Sequence, residues 1–162
     1  MRKAAACLLL LGCLDHDPGT SLGTYSVTGS LEAQTCGADL QAVDPWDFDV
    51  RLTHDGHTVY WLQASSPAIS GVEDGSGNVT FTTSEIFSLS DADGGGPYCG
   101  VVRTDTFQAA LGTASDPSNF TGTIAYHYDL DQGSECGSLL YGQFDSVPCD
   151  VNYDLAAKRT GP

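Results

Sequence analysis

The sequence predicts an all-β domain of about eight antiparallel strands, closed as an up-and-down barrel or folded as a two-sheet sandwich. Short runs of strictly alternating polarity recur along the chain, which is the mark of half-buried strands. Turn-forming clusters separate them, with 19 Gly in 162 residues. One Met and few Lys leave the chain without the composition of a helical protein.

The first strand runs from Tyr25: Tyr25, Val27, Gly29, Leu31 and Ala33 fall on one face, and Ser26, Thr28, Ser30, Glu32 and Gln34 on the other. Phe48, Val50 and Leu52 alternate with Asp49, Arg51 and Thr53 in a second, and Thr58 to Gln63 makes a third. Between these two, Asp55-Gly56 is expected as a two-residue hairpin loop flanked by His54 and His57. A loop rich in Ser, Pro and Gly follows, and Val79 to Phe87 reads as strand four after the turn Asp74 to Gly77. Cys99 to about Phe107 reads as strand five, although Phe107, Ala110 and Leu111 before Gly112 suit a short capped helix equally. Phe120 to Leu130 gives the clearest alternation, Leu139 to Phe144 a faint seventh strand, and Val151 to Lys158 the eighth.

In an up-and-down barrel the first and last strands are antiparallel neighbours. Cys36, just past strand one, then lies near Cys149, which opens strand eight. Cys99 opens strand five and Cys136 follows strand six, so both pairs fall at matching strand ends. There Cα atoms come within the ~4.4 to 6.8 Å that a disulfide needs. Bridges Cys36–Cys149 and Cys99–Cys136 are the expectation, in keeping with an oxidising compartment. No close CxxC pair is present to suggest zinc.

The extreme N-terminus carries its own signal. Arg2 and Lys3 precede an apolar run from Ala4 to Leu11, too short for a membrane span, which needs ~20 residues. Leu10-Leu11-Gly12-Cys13 resembles the lipobox that closes the signal peptide of bacterial lipoproteins. That resemblance implies removal of residues 1–12, acylation of Cys13, and a lipid-anchored tether over residues 13–22 ahead of a single domain at 23–162. Three acyl chains would hold the protein firmly, since two already suffice for stable anchoring. Leu14 rather than Asp after the cysteine leans, by the same resemblance, to the outer membrane. The body is similar to small disulfide-stapled β-domain lipoproteins, a likeness that brings no activity with it.

Charge narrows the partners. Four basic residues, Arg51, Arg103, Lys158 and Arg159, stand against 21 acidic ones after Cys13, a mature net charge of −17. Such a surface repels phosphate backbones and anionic headgroups, so the membrane is reached through the lipid and nucleic acid is not a partner. Candidate chemistry is sparse. His54 and His57 are a possible cross-strand metal pair without a third ligand, and His127 reads as solvated surface. Asp91 to Gly94 and Asp129 to Glu135 supply clustered oxygens that suit calcium but do not follow an EF-hand, and solvated turns in a very acidic protein account for them more simply. Asp47 and Asp49 share a strand face without a predicted cleft. Gly-x-Ser-x-Gly, His-Glu-x-x-His, the phosphate loop and the dinucleotide fingerprint are all missing, so no catalytic residue and no cofactor is assigned and an enzyme is not expected. Asn78 and Asn119 match the glycosylation sequon but read as strand-entry residues.

Gly23-Thr24-Tyr25 is similar to the Gly-x-Trp opening of lipocalins, eight-stranded barrels that hold small apolar ligands. Two functional expectations follow: a non-enzymatic envelope structural or interaction domain, or a lipocalin-like carrier with Tyr25, Tyr126 and Tyr128 lining its interior. A cavity would favour the carrier and an aromatic-filled core the interaction domain.

Overall fold

The computed structural model describes residues 17–90, 97–112, 117–140 and 143–162. Eight strands follow one another in chain order: β1 (Thr20–Gln34), β2 (Trp46–Asp55), β3 (Thr58–Leu62), β4 (Ile69–Glu73), β5 (Asn78–Ser90), β6 (Cys99–Ala110), β7 (Asn119–Leu130) and β8 (Cys149–Gly161). Each pairs antiparallel with the next and β8 returns to β1, closing the barrel. The barrel, not the sandwich, is therefore the architecture.

Eight strands form, but not the eight expected. The loop rich in Ser, Pro and Gly contains β4, whose inward position is taken by Gly71. A Cβ there would stand 2.6 Å from the Thr80 carbonyl oxygen, so this strand is built without the apolar residue that would have announced it. Leu139 to Phe144 is not a strand: Gly137–Leu140 is a 3₁₀ turn, and Phe144 is a buried cap 5.1 Å from the Tyr128 ring. Phe107 to Ala110 stays in β6, which excludes the capped helix. The β2–β3 register opposes Asp55 to Thr58, so the hairpin loop is Gly56-His57, shifted by one from Asp55-Gly56. Gly56 has φ 61°, the left-handed value that favours Gly as the first loop residue.

One end of the barrel is closed. Leu22, Tyr25 and Phe120 are buried there, with the Tyr25 and Phe120 rings 5.1 Å apart edge to face. The Tyr25 hydroxyl donates to the Pro117 carbonyl at 2.8 Å and lies 3.1 Å from that of Leu22. Above them Trp61, only 1% exposed, meets Phe81, Phe107 and Phe120 at centroid distances of 5.7, 5.4 and 6.3 Å. This aromatic stack fills the lower half of the barrel.

The other end carries both disulfides, Cys36–Cys149 and Cys99–Cys136, with Cα separations of 4.9 and 4.7 Å. They join the β1–β2 loop to the start of β8, and the start of β6 to the β7–β8 loop, the pairing expected from matched strand ends. The N-terminal side is held differently from a free tether: β1 already begins at Thr20, Asp17 pairs with Arg51 at 2.6 Å, and the Thr53 hydroxyl donates to the Pro18 carbonyl.

Gly122 in β7 is a steric requirement, because a Cβ there would stand 2.0 Å from the Gln108 carbonyl oxygen of the neighbouring strand. Gly122→Ala is expected to cost about 1 to 3 kcal/mol through a forced backbone shift, measurable by denaturant unfolding.

Candidate functional site

The barrel wall is not complete over its full height. β3 and β4 have five residues each, whereas β5 and β6 have 13 and 12. Pro67 lacks the N–H needed to extend the β3–β4 ladder, and Ala64 turns the chain with φ 49°, so this hairpin stops halfway up. β4 pairs with β5 only from Val79 to Phe81, and β3 pairs with β2 only from Arg51 to Asp55. Above those points the wall has a lateral gap between β2 and β5.

A cleft of about 700 Å³ opens through this gap, walled by Trp61, Thr83, Glu85, Phe107 and Tyr126, with Pro67 and Ala68 at its lip. Inside it lies the main charged feature of the interior. Arg103 and Asp105 occupy positions i and i+2 of β6, both on the inward face. The Arg103 guanidinium donates from Nε to Asp105 Oδ1 at 2.6 Å and from a terminal nitrogen to Oδ2 at 2.9 Å. It also sits 5.2 Å from the Phe87 ring centroid and 5.3 Å from that of Tyr126, with Glu85 at 3.8 Å. The Asp105 side chain is 6% exposed and that of Arg103 29%. Fork and stacking together fix the guanidinium as few other residue choices would.

Burial sets the protonation of this cleft. It pushes the Asp105 carboxyl above the usual range, with the Arg103 pair opposing. Burial alone would lower Arg103, but the bonded Asp105 carboxylate outweighs it and holds the cation. Tyr126 rises well above the ordinary tyrosine value of 10.0, first by burial and then by Asp105; Tyr128 and Tyr153 are also raised, chiefly by burial. A phenol held protonated in the folded state but free to ionise in the unfolded one gives stability that is lost as pH rises above about 10. Unfolding free energy is therefore expected to fall in that range, with a fraction of the tyrosines ionising only on unfolding, as followed by absorbance at alkaline pH.

The other sequence candidates sit apart from the cleft or lie beyond view. Cys13 and the loop Asp91 to Gly94 lie outside the described residues. His54 is opposite Val59 rather than His57, so the two histidines are not a cross-strand pair. His127 is half-exposed on the outer wall, its Nδ1 2.7 Å from Asp150 Oδ1. Asp47 and Asp49 are exposed on β2, and Asp47 Oδ1 accepts from the Thr28 hydroxyl at 2.6 Å. In the loop after β7, Asp131 Oδ2 accepts from the Tyr98 hydroxyl at 2.7 Å. Among the described residues no group of three His, Cys, Asp or Glu is placed to hold a metal ion. Asn78 and Asn119 are the first residues of β5 and β7.

Of the three tyrosines expected inside, Tyr25 is in the closed end, Tyr126 lines the cleft, and Tyr126 and Tyr128 line a separate apolar pocket of about 190 Å³ against Leu40, Ala42 and Trp46. Arg103 and Asp105 were not singled out by the sequence. The signal was present: two opposite charges at inward positions of a strand whose other inward residues are Val101, Phe107 and Ala109.

These features define a closed eight-stranded barrel, packed at one end and notched at its disulfide-bridged end. No protein-family model matches the chain, and neither does any curated protein or solved structure.

Proposed function

We propose that this chain is an exported barrel, anchored to the membrane through acylated Cys13, that acts as a non-enzymatic interaction module through its lateral cleft. The observation that carries this reading is the cleft itself, about 700 Å³ that reaches the interior where the wall lacks strands, while Trp61, Phe81, Phe107 and Phe120 fill the interior beneath it. A filled lower barrel leaves little room for an enclosed ligand. The Asp105 carboxylate is committed to Arg103, which argues against its use as a catalytic base. Asp17 is four residue steps from Cys13, a reach of at most about 14 Å. Since Asp17 is tied to Arg51, the anchor keeps the barrel close to the membrane. Leu14 favours the outer membrane for that site; of the two acidic loops read as calcium candidates, Asp129 to Glu135 brings no three acidic side chains together, and Asp91 to Gly94 lies outside the described residues.

The second reading, a lipocalin-like carrier of a small apolar ligand, draws on the barrel topology and on the pocket of about 190 Å³ beside Trp46 and Tyr128.

Intact-mass spectrometry of the protein from its native membrane, under non-denaturing conditions and again after reduction, separates these readings. The expected result is a chain starting at Cys13 with acyl additions, a gain of four hydrogens on reduction of the two bridges, and no retained small molecule. An unacylated mass overturns the anchor, and a retained apolar compound overturns the interaction module in favour of the carrier.

A further inference from the structure

We infer that the upper half of β5 is an acceptor edge onto which an extended peptide segment of a partner protein, alternating apolar and basic residues, adds as an antiparallel or parallel strand. This inference rests on the reading of the cleft as an interaction surface and names its partner class. The direction of the backbone groups follows from the observed bonds. The Asp74 N–H donates to the Asn78 carbonyl on the β4 side, and the Leu111 N–H donates to the Gly77 carbonyl on the β6 side. Even-numbered residues of β5 therefore point their N–H and C=O towards β4, and odd-numbered ones towards β6.

Thr80 meets its β4 partner Val72, but the ladder ends one residue later at Phe81. The Gly71–Phe81 pair is closed by its flanking bonds, one of them from the Thr82 N–H to the Ser70 carbonyl, so the open groups are the Thr82 C=O and the N–H and C=O of Ser84 and Ile86, with no strand beside them among the described residues; the side chains of Thr82, Ser84 and Ile86 mark this stretch. All three are exposed, and Ile86, at 56%, is among the largest exposed apolar side chains. A long edge of this kind is normally blunted by Lys, Pro or a bulge. From Thr82 to Phe87 there is neither Lys nor Pro, and the register to β6 is unbroken as far as Ser88.

The chemistry around the edge selects the strand. Alternate side chains of an added segment would face inward beside Thr83, Glu85 and Phe87 and outward beside Ser84 and Ile86. Inside, the carboxylates of Glu85 and Asp105 outnumber the single cation, which is already forked onto Asp105. Glu85, 3.8 Å from Arg103 and with 62% of its side chain exposed, has room to receive a further Lys or Arg. Outside, Ile86 offers a cross-strand neighbour to a β-branched residue. A net charge of −17 on the mature chain favours a basic segment and opposes pairing of two copies.

The test uses the full chain in detergent micelles and an octapeptide alternating valine and lysine, read by amide hydrogen exchange. Saturating peptide is expected to slow exchange at Ser84 and Ile86 by about tenfold or more, the worth of one ladder hydrogen bond, and to leave Thr82, Thr83 and Glu85 unchanged. Ser84→Pro removes one edge N–H without touching the β6 ladder and is expected to weaken binding by about tenfold. An octapeptide alternating valine and glutamate is expected not to bind. Peptide binding without protection at those two amides overturns the edge while leaving the cleft a binding surface. The absence of any binding at millimolar peptide overturns the edge and the interaction reading together. Equal binding of the acidic peptide overturns the basic partner, and dimers that protect the same amides without peptide overturn it in favour of a second copy.

Discussion

Replacing Cys36 and Cys149 together by Ala is expected to lower the unfolding free energy by about 4 to 5 kcal/mol. The bridge closes a segment of 113 residues, nearly the whole barrel, and in the chain-entropy account the stabilisation grows with the loop removed from the unfolded ensemble. Cys99–Cys136 spans 37 residues, so its removal is expected to cost roughly 1 kcal/mol less. The two losses are of the same order as the whole stability of many single domains, so reduction of both bridges should unfold the protein. Denaturant unfolding of each double variant, with the other bridge intact, measures the difference. A loss below about 1 kcal/mol for the Cys36–Cys149 pair would show that the unfolded chain keeps those ends together by other means.

The second large effect is in the cleft. Arg103→Met is expected to cost about 3 kcal/mol, because it leaves the Asp105 carboxylate, 6% exposed, without the fork that compensates its burial. It also removes the guanidinium from between the Phe87 and Tyr126 rings. Arg103→Met with Asp105→Leu is expected to recover most of that loss, since replacing a buried pair by apolar residues of similar size is often neutral or better. This non-additivity is the signature to look for. A double variant as unstable as the single one would mean that the cleft is stabilised by the charges themselves. Recovery of stability would instead mark the pair as a feature kept for recognition at the gap.

Most of the fold is legible in the sequence because most strands are half-buried and so alternate cleanly. β1, β7 and β8 carry an unbroken period of two over Tyr25 to Leu31, Phe120 to Tyr128 and Val151 to Ala157, and the observed inward faces are those residues. β4 escapes because its one deeply buried inward position is Gly71, chosen to admit the Thr80 carbonyl and the Phe81 ring rather than to bury an apolar side chain. Leu139 to Phe144 misleads for the opposite reason. Leu140 and Phe144 pack on the core near the open end, Phe144 against Tyr128, and such a cap needs apolar surface without strand geometry. The disulfides were readable because strand order alone decides which ends meet, and that order survives the exchange of one strand for another.

The candidate site was harder to see because it arises from a mismatch of strand lengths. Pro67 and the turn at Ala64 shorten the β3–β4 hairpin, and only the register of β5 with both neighbours shows that Thr82 to Ile86 lose a partner. Arg103 and Asp105, read singly, look like ordinary surface charges of a strand. Their inward parity with Val101 and Phe107 places them in the barrel, and the missing wall makes that place accessible.

Amide hydrogen exchange along β5 in the unliganded protein tests the account most directly. Thr80 and Thr82, bonded to β4, and Thr83 and Glu85, paired to β6, are expected to be protected, while Ser84 and Ile86 exchange faster by at least about a hundredfold, as a local difference of about 3 kcal/mol implies. Uniform protection from Asn78 to Phe87 would mean that the wall is closed beside β5, and would contradict the cleft and the function built on it.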